Sequence, residues 1–308
     1  MKQKTVSIII PTYKPDSNYS KMLQILYNQT YPVEKIVVMN TGKEYYNEDI
    51  YPKLDKLEVH HITKKQFDHG GTRNIGVQLT NSDIILFLTQ DAMPKGSNFV
   101  ENMMKAFDDN SVAAVYGRQL PAKDCGVIEA FTRSFNYPAE SSVKGISDLK
   151  RLGIKTFFCS NVCAAYRRDI YEKIGGFPLK TIFNEDMIFT GRLVKAGYKV
   201  AYRADAMVIH SHNYSGIQQF HRNFDLAVSQ AQYPDVFDGV SSEGEGIKLV
   251  KKTATYLLKS GKWYLLPKLV YQSGCKYIGY FLGKRYEGLP IWLCIWCSMN
   301  KDYWKTNK

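Results

Sequence analysis

The chain has 308 residues, of which 44% are hydrophobic and 13% aromatic, so it suits one large α/β domain with an appendage, or two small domains, and excludes a disordered protein. The net charge of +12 indicates an anionic partner: a nucleic acid, a phosphorylated substrate or a membrane surface. Six scattered cysteines exclude a disulfide scaffold. We expect no signal peptide, because residues 1–5 lead directly into a strand-like run. We also expect no membrane-spanning helix, because no window of about 18 uninterrupted apolar residues occurs.

Short β-branched runs alternate with a helical pattern in the N-terminal third. Residues 6–11 (VSIIIP), 36–39 (IVVM) and 57–62 predict strands, and residues 16–28 carry apolar side chains at helical spacing. Residues 12–15 are expected to form the loop after the first strand. Strand, helix and strand in short succession predict parallel pairing through right-handed crossovers. This is the pattern of a nucleotide-binding α/β unit.

Residues 67–76 (FDHGGTRNIG) follow the third predicted strand. The pair Gly70-Gly71 permits a tight turn, and Thr72 is predicted to cap a helix that ends near Leu79. Helix N-terminal amides and Arg73 would then converge on a phosphate or carboxylate. An equally good interpretation is a surface loop whose arginine pairs with a local acid.

Residues 81–94 (NSDIILFLTQDAMP) contain a continuous apolar run over residues 84–88, which predicts a strand buried on both faces. Asp91 stands just after its carboxyl end, where open α/β sheets bind their ligands. Taken alone, Asp91 is more simply a cap of the following turn.

The rest of the first domain adds strands at residues 112–117 and 199–209, and a strand-like run at residues 157–166. Residues 121–152 show no clear periodicity and suit an insertion on the acceptor side. Residues 216–238 are predicted to be helical.

Two acids, Glu185 and Asp186, open a strongly amphipathic predicted helix. Acids at a helix start often only favour the helix dipole, but a general base is also held rigidly there. The last predicted strand is followed by His210 and His212, which share a face if the chain stays extended. A histidine ligand beside Asp91 is chemically sensible for a metal ion.

Composition changes after residues 239–246 (GVSSEGEG), which predict a linker. Residues 247–308 mix basic side chains with tryptophan, tyrosine and leucine in helix-like stretches. This pattern favours a helix at an anionic membrane surface. The alternative is a helical hairpin that packs its aromatic residues on the catalytic domain.

Six segments in order resemble glycosyltransferase family two, the inverting GT-A fold: SIIIPTYK, IVVMNTG, FDHGGTRNIG, FLTQDAMP, FNEDMIFTGRLVKAGYKV and VIHSHNYS. HGGTRN together with TQDA looks like the bacterial rhamnosyltransferase branch. The resemblance covers about residues 5–215. It implies a mostly parallel sheet flanked by helices over residues 1–238, with residues 247–308 as a basic, aromatic helical extension.

The resemblance also implies a set of donor-binding residues. Thr12 and Tyr13 would line the base pocket, and Arg73 would lie beside the diphosphate. Asn40 stands where many relatives have an aspartate that reads the pyrimidine ring. The implied donor-binding set is Thr12, Tyr13, Asn40, Arg73, Gln90 and Asp91.

The catalytic and metal-binding residues are implied in the same way. Thr89-Gln90-Asp91 replaces the DxD metal motif, which leaves Asp91 as the principal carboxylate ligand of Mg²⁺ or Mn²⁺. His210 would be the second ligand, with His212 as the alternative. Asp186 matches the family's catalytic base, supported by Glu185. Inverting transfer needs one such base on the acceptor hydroxyl, and a cation to neutralise the departing diphosphate.

The predicted activity is therefore inverting transfer of L-rhamnose from dTDP-L-rhamnose to a polyprenyl-diphosphate-linked glycan or a growing polysaccharide of the cell wall or capsule. The protein is expected to be cytoplasmic and peripheral at the inner face of the membrane, where its tail would keep it near a lipid-linked acceptor. Three alternatives stay open: a UDP-hexose donor, a catalytically silent sugar-nucleotide binder, and a nucleic-acid-binding protein acting through the basic aromatic tail. The tail lacks any nucleic-acid-binding motif, so no nucleic-acid partner is expected.

Overall fold

The computed structural model describes residues 3–240 and 243–306. The chain forms two compact units. Unit 1 comprises Met1–Ala122, Tyr137–Leu179 and Glu185–His210, and unit 2 comprises Lys123–Asn136, Lys180–Asn184 and Ser211–Lys308. The segments 123–136 and 180–184 thus belong to unit 2, although they lie within the predicted catalytic domain.

Unit 1 is built on one mixed, mostly parallel sheet, which in the described residues has nine strands in the order β3-β2-β1-β4-β8-β6-β9-β5, with β7 also paired to β9. Neighbours β3, β2, β1 and β4 run parallel, and so do β6 and β9, whereas β8 runs antiparallel to both β4 and β6. The strands are β1 (Val6–Tyr13), β2 (Lys35–Thr41), β3 (Leu57–Ile62), β4 (Ile84–Leu88), β5 (Met93–Pro94), β6 (Val112–Leu120), β7 (Ser142–Lys144), β8 (Cys163–Arg167) and β9 (Lys199–Ile209).

Helices flank this sheet and bury its central strands. The middle of β1 and all of β4 have no exposed side chain, as their unbroken apolar runs predict. The helices of unit 1 are α1 (Asn18–Tyr27), α2 (His69–Gln78), α3 (Phe99–Met104), α5 (Leu149–Leu152), α6 (Arg168–Ile174) and α7 (Glu185–Lys195). The core between β1, β4 and helices α1 and α3 holds Leu23 and Phe99, both fully buried.

Three local predictions differ from the structure. Thr12 and Tyr13 belong to β1 and not to a loop. Beyond Ile9 this strand pairs only with β2, so the missing N–H of Pro11 interrupts no hydrogen bonding to β4. Helix α2 begins at His69, and its cap is Asp68, whose Oδ1 accepts from Gly71 N at 2.6 Å. In the run 157–166 only Cys163 onward is a strand.

Unit 2 is helical: α4 (Val127–Asn136), α8 (Gly216–Gln232), α9 (Pro234–Phe237), α10 (Glu243–Lys259), α11 (Leu266–Gly283), α12 (Ile291–Cys297) and α13 (Lys301–Thr306). Its core includes Ile182, Phe224 and Trp304. Helix α10 begins at Glu243, inside the predicted linker 239–246, of which residues 241 and 242 lie outside the described residues. None of the helices in residues 3–240 and 243–306 combines the length and the apolar content needed to cross a membrane.

Candidate active site

The residues that end β1 and follow β4 are joined by two hydrogen bonds. Tyr13 N donates to Gln90 Oε1 at 2.7 Å, and Gln90 Nε2 donates to Tyr13 O at 2.9 Å. Tyr13 is exposed, with its ring edge-on to Tyr45 at 5.6 Å between centres, whereas Thr12 is buried and its Oγ1 donates to Ile10 O at 3.2 Å. Parallel strands thus bring Tyr13 and Gln90, distant in sequence, to one edge of the sheet.

Asn40, at the end of β2, is fully buried and held in one orientation. Its Nδ2 donates to Gly42 O and to His61 Nδ1, both at 3.0 Å. His61 Nδ1 is then the acceptor, so the ring proton sits on Nε2, which faces Glu48 Oε1 at 3.5 Å. Asn40 Oδ1 is buried and has no hydrogen-bond partner among the described residues. Asn40 Oδ1 is therefore an acceptor in a fixed position at the end of β2, and sequence reasoning did not identify His61 as the residue that helps to fix it.

Arg73 and Glu185 form a buried ion pair. Arg73 Nη1 lies 3.2 Å from Glu185 Oε1 and donates to His69 O at 2.8 Å. Burial is the largest single effect on Glu185 and opposes its ionisation, but the charges of Arg73 and His69 together with hydrogen bonds outweigh it and hold the pKa of Glu185 below its usual value. Arg73 Nε has no hydrogen-bond partner in the described part of the chain. Arg73 thus pairs with an acid, as one interpretation of the sequence expected, yet it is a buried residue in a helix and not part of a surface loop.

Asp186 lies next to this pair at the start of α7, and most of its surface is covered. Its Oδ2 accepts from Asn161 N at 3.0 Å and its Oδ1 from Met187 N at 2.7 Å. Burial raises the pKa of Asp186 to about 7, and the negative charge of Glu185 adds to the effect. A carboxylate whose pKa lies near neutrality and whose position is fixed by two backbone N–H groups has the properties of a general base.

Asp91, just after β4, and His210, just after β9, lie close to each other. Asp91 Oδ2 lies 3.4 Å from His210 Nε2, and each residue offers one ligand atom to an ion between them. His210 is buried, and its Nδ1 is 3.0 Å from Gln119 Oε1. Because Gln119 Nε2 donates elsewhere, its Oε1 accepts the Nδ1 proton, so Nε2 is the nitrogen that faces the carboxylate. An imidazole nitrogen and a carboxylate oxygen are both ligands that divalent metals accept, so these residues fit a divalent metal.

One loop, residues 160–162, connects these groups. Ser160 Oγ accepts from Gln119 Nε2 at 3.2 Å, and Asn161 N donates to Asp186. The carbonyl of Val162 accepts from Thr89 N at 3.2 Å. The Asn161 side chain also accepts from the Tyr166 hydroxyl at 2.9 Å. Sequence reasoning missed this loop and Gln119 because neither carries a recognisable motif. His212 lies in the last segment of unit 2, Ser211–Lys308, and its role as the alternative ligand stays a prediction.

The fold and this site define a glycosyltransferase with the GT-A fold. Residues 7–175 match the profile "Glycosyl transferase family 2", and the chain belongs to this family, whose members are inverting enzymes. The predicted family, fold and enzyme class are therefore confirmed, and the catalytically silent alternative is wrong.

Two curated relatives match the chain over nearly its whole length. It is 41% identical to the O-antigen chain rhamnosyltransferase RfbN of Salmonella typhimurium, over 98% of this chain and 96% of that protein. It is 38% identical to the O-antigen chain rhamnosyltransferase WbaN of Salmonella anatum, over 97% and 96%.

Solved structures support the fold alone, because sequence identity to them is low. The mannosyltransferase PcManGT from Pyrobaculum calidifontis, in complex with GDP-Man and Mn²⁺, gives a TM-score of 0.55 at 16% identity over 98% of this chain and 85% of that one. S. aureus TarS 1-349 gives 0.51 at 15% identity over 92% of each chain.

Proposed function

We propose that the protein transfers L-rhamnose from dTDP-L-rhamnose to a lipid-linked or growing surface polysaccharide, with inversion at the anomeric carbon. The observation that carries the choice of sugar is the similarity to RfbN over 98% of the chain at 41% identity. The geometry supports single displacement, since Asp186 is a rigidly held carboxylate with its pKa near neutrality.

The residues of unit 1 divide the chemistry between them. Asp186 takes the proton of the acceptor hydroxyl as it attacks, while its two N–H donors fix the direction of the carboxylate. Arg73 contributes positive charge beside the donor diphosphate, and Glu185 keeps that guanidinium in place. Asp91 and His210 would hold Mg²⁺ or Mn²⁺, which when bound supplies charge to stabilise the departing nucleoside diphosphate.

A donor panel tests the function directly. Release of nucleoside diphosphate is measured with dTDP-L-rhamnose, dTDP-glucose, UDP-glucose and UDP-N-acetylglucosamine, with a polyprenyl-diphosphate-linked glycan as acceptor. We expect dTDP-L-rhamnose to give the highest kcat/KM and a product of inverted anomeric configuration. Preference for a UDP-hexose would replace the proposed donor while leaving the enzyme class intact.

Asn40 is proposed to read the pyrimidine base through Oδ1, which would accept the N3–H of thymine. Asn40→Ala is expected to raise KM for the donor about tenfold with little change in kcat, because one buried hydrogen bond is lost. Inhibition by dTDP and by its N3-methyl derivative is then compared in both proteins. The wild type should bind dTDP more tightly than its N3-methyl derivative, and the variant should bind both equally.

The matched control is Asn102→Ala, at a buried asparagine that donates to Asp205 O at 3.0 Å. Equal discrimination in wild type and Asn40→Ala would contradict this role.

The pH profile follows from the raised pKa of Asp186. A base must be unprotonated, so kcat/KM is expected to rise with pH to a plateau above about 7 and to fall about tenfold per pH unit below it. Glu185→Gln removes the neighbouring negative charge and should move the midpoint down by about one pH unit or more. Glu172→Gln, at an exposed glutamate paired with Arg168, should leave it in place. A midpoint that does not respond to Glu185→Gln would argue that another group controls the profile.

We also propose that the protein works at the inner face of the cell membrane. A polyprenyl-linked acceptor is confined to a bilayer, so an enzyme held at that surface meets it more often. The exposed aromatic and basic side chains of unit 2 support this position.

A further inference from the structure

Helix α11 is oriented by two glycines that contact α8. A Cβ at Gly279 would lie 2.2 Å from Phe220 O, and one at Gly283 would lie 2.3 Å from Phe224 O. Glycines four residues apart let the two helix backbones approach this closely, and the packing fixes which side of α11 is buried.

The opposite side of α11 is apolar and exposed. Val270, Tyr277, Ile278 and Phe281 have exposed fractions of 69%, 64%, 53% and 42%. Together with Gly274 they recur at intervals of three and four residues and so lie on one face, which we call the α11 face. Trp263 and Tyr264, just before the helix, are 66% and 61% exposed. Contiguous exposure of this kind indicates an interaction surface.

Charge identifies the partner. Residues 259–285 contain five lysines and one arginine but no acid. Lys284 and Arg285 are exposed at the end of the α11 face, and the Arg285 guanidinium carbon lies 3.8 Å from the centre of the Phe281 ring. Aromatic and aliphatic side chains within this basic, acid-free segment complement an anionic lipid surface, where rings enter the headgroup layer and cations meet phosphates.

We propose that the α11 face is a membrane-docking surface that lies flat in the headgroup region of an anionic bilayer. The 18-residue helix is about 27 Å long, enough to place every member of the face at one depth. This proposal rests on the proposed function, since a lipid-linked acceptor gives the enzyme a reason to stay at a membrane, but its test needs no turnover.

The experiment is sedimentation of the full chain with vesicles of phosphatidylcholine alone or with about one third phosphatidylglycerol. Val270→Ser with Ile278→Ser is matched by Val143→Ser with Ile146→Ser, which changes the same residue types at exposed positions of unit 1. Lys284→Glu with Arg285→Glu is matched by Lys150→Glu with Arg151→Glu, another exposed Lys-Arg pair in unit 1. We expect wild type and both controls to bind anionic vesicles. The partition coefficient should fall about tenfold for Val270→Ser with Ile278→Ser, and about 30-fold for Lys284→Glu with Arg285→Glu.

Three results would overturn the proposal: no binding to anionic vesicles, equal binding to neutral ones, or equal loss in the controls. The proposal also fails if the Val270→Ser, Ile278→Ser variant converts a dimer into monomers without changing vesicle binding, because the face would then cover a second copy. Transfer from dTDP-L-rhamnose to the acceptor, measured in parallel by released dTDP, separates the two proposals. Normal vesicle binding by an inactive wild type would leave the docking surface supported and remove the proposed donor.

Discussion

Asp186→Asn is expected to reduce kcat by about 10³-fold or more while the donor Kd changes little. General-base catalysis contributes about 10²–10⁴-fold to the rate. A single displacement uses no protein nucleophile, so no covalent route would replace the lost base. Asparagine keeps the volume of the side chain and one acceptor oxygen for the N–H groups of Asn161 and Met187. The variant therefore removes the base without emptying the site. Turnover is measured by released dTDP, and donor binding by calorimetry.

The control is Asp169→Asn, an exposed acid in the first turn of α6, which should retain full activity. Any cost from leaving one backbone N–H without an acceptor, about 1–3 kcal/mol, would appear as a lower Tm in Asp186→Asn and not as a selective loss of kcat. Near-normal turnover would remove Asp186 from the mechanism. A parallel loss of donor binding would assign it to the donor site instead.

The strands and their carboxyl ends were readable from the sequence because their signals are local. A continuous apolar run located β4 at residues 84–88, and the strand predicted at residues 199–209 is β9; both have the bounds that the structure has. Polar residues directly after such runs, including Asp91, had to lie at the edge of a parallel sheet. The place of Asp91 directly after an apolar run was enough to predict that it lies at the edge of the sheet.

The supporting residues could not be read in the same way. Gln119 reaches His210 across 91 positions of sequence, and Asn161 reaches Asp186 across 25. The first contact depends on β6 pairing with β9, and the second involves the loop that precedes β8, which runs antiparallel to β4 and β6. Periodicity does not specify either arrangement. The start of α2 was misplaced for a related reason. Gly70 lies inside the helix, and the residue there is glycine because a Cβ would be 2.1 Å from Pro178 O, a contact that only the folded chain creates.

Asp91→Ala is expected to weaken Mn²⁺ binding strongly and to lower kcat/KM by about 10²–10³-fold at limiting metal. In the proposed metal site Asp91 is the one carboxylate where a DxD motif has two, so its loss would remove most of the ligand charge. Treatment of the wild type with a chelator should abolish activity, and added Mn²⁺ or Mg²⁺ should restore it. Metal affinity is measured from the electron paramagnetic resonance of Mn²⁺, which requires no turnover. Asp49→Ala, at an exposed aspartate outside the site, is the control.

Gln119 separates a metal site from a simple ion pair between Asp91 and His210. Gln119→Leu removes the acceptor of the His210 Nδ1 proton and should cost about 10–100-fold in Mn²⁺ affinity, as is typical of residues that orient a ligating histidine. Gln119→Glu keeps an acceptor at the same position and should retain most of the affinity. If the two residues only paired with each other, the glutamate would favour a protonated imidazole and strengthen the pair, while neither variant would change the Mn²⁺ signal. Equal Mn²⁺ affinity in Gln119→Leu, Asp91→Ala and wild type would therefore remove the metal from this site.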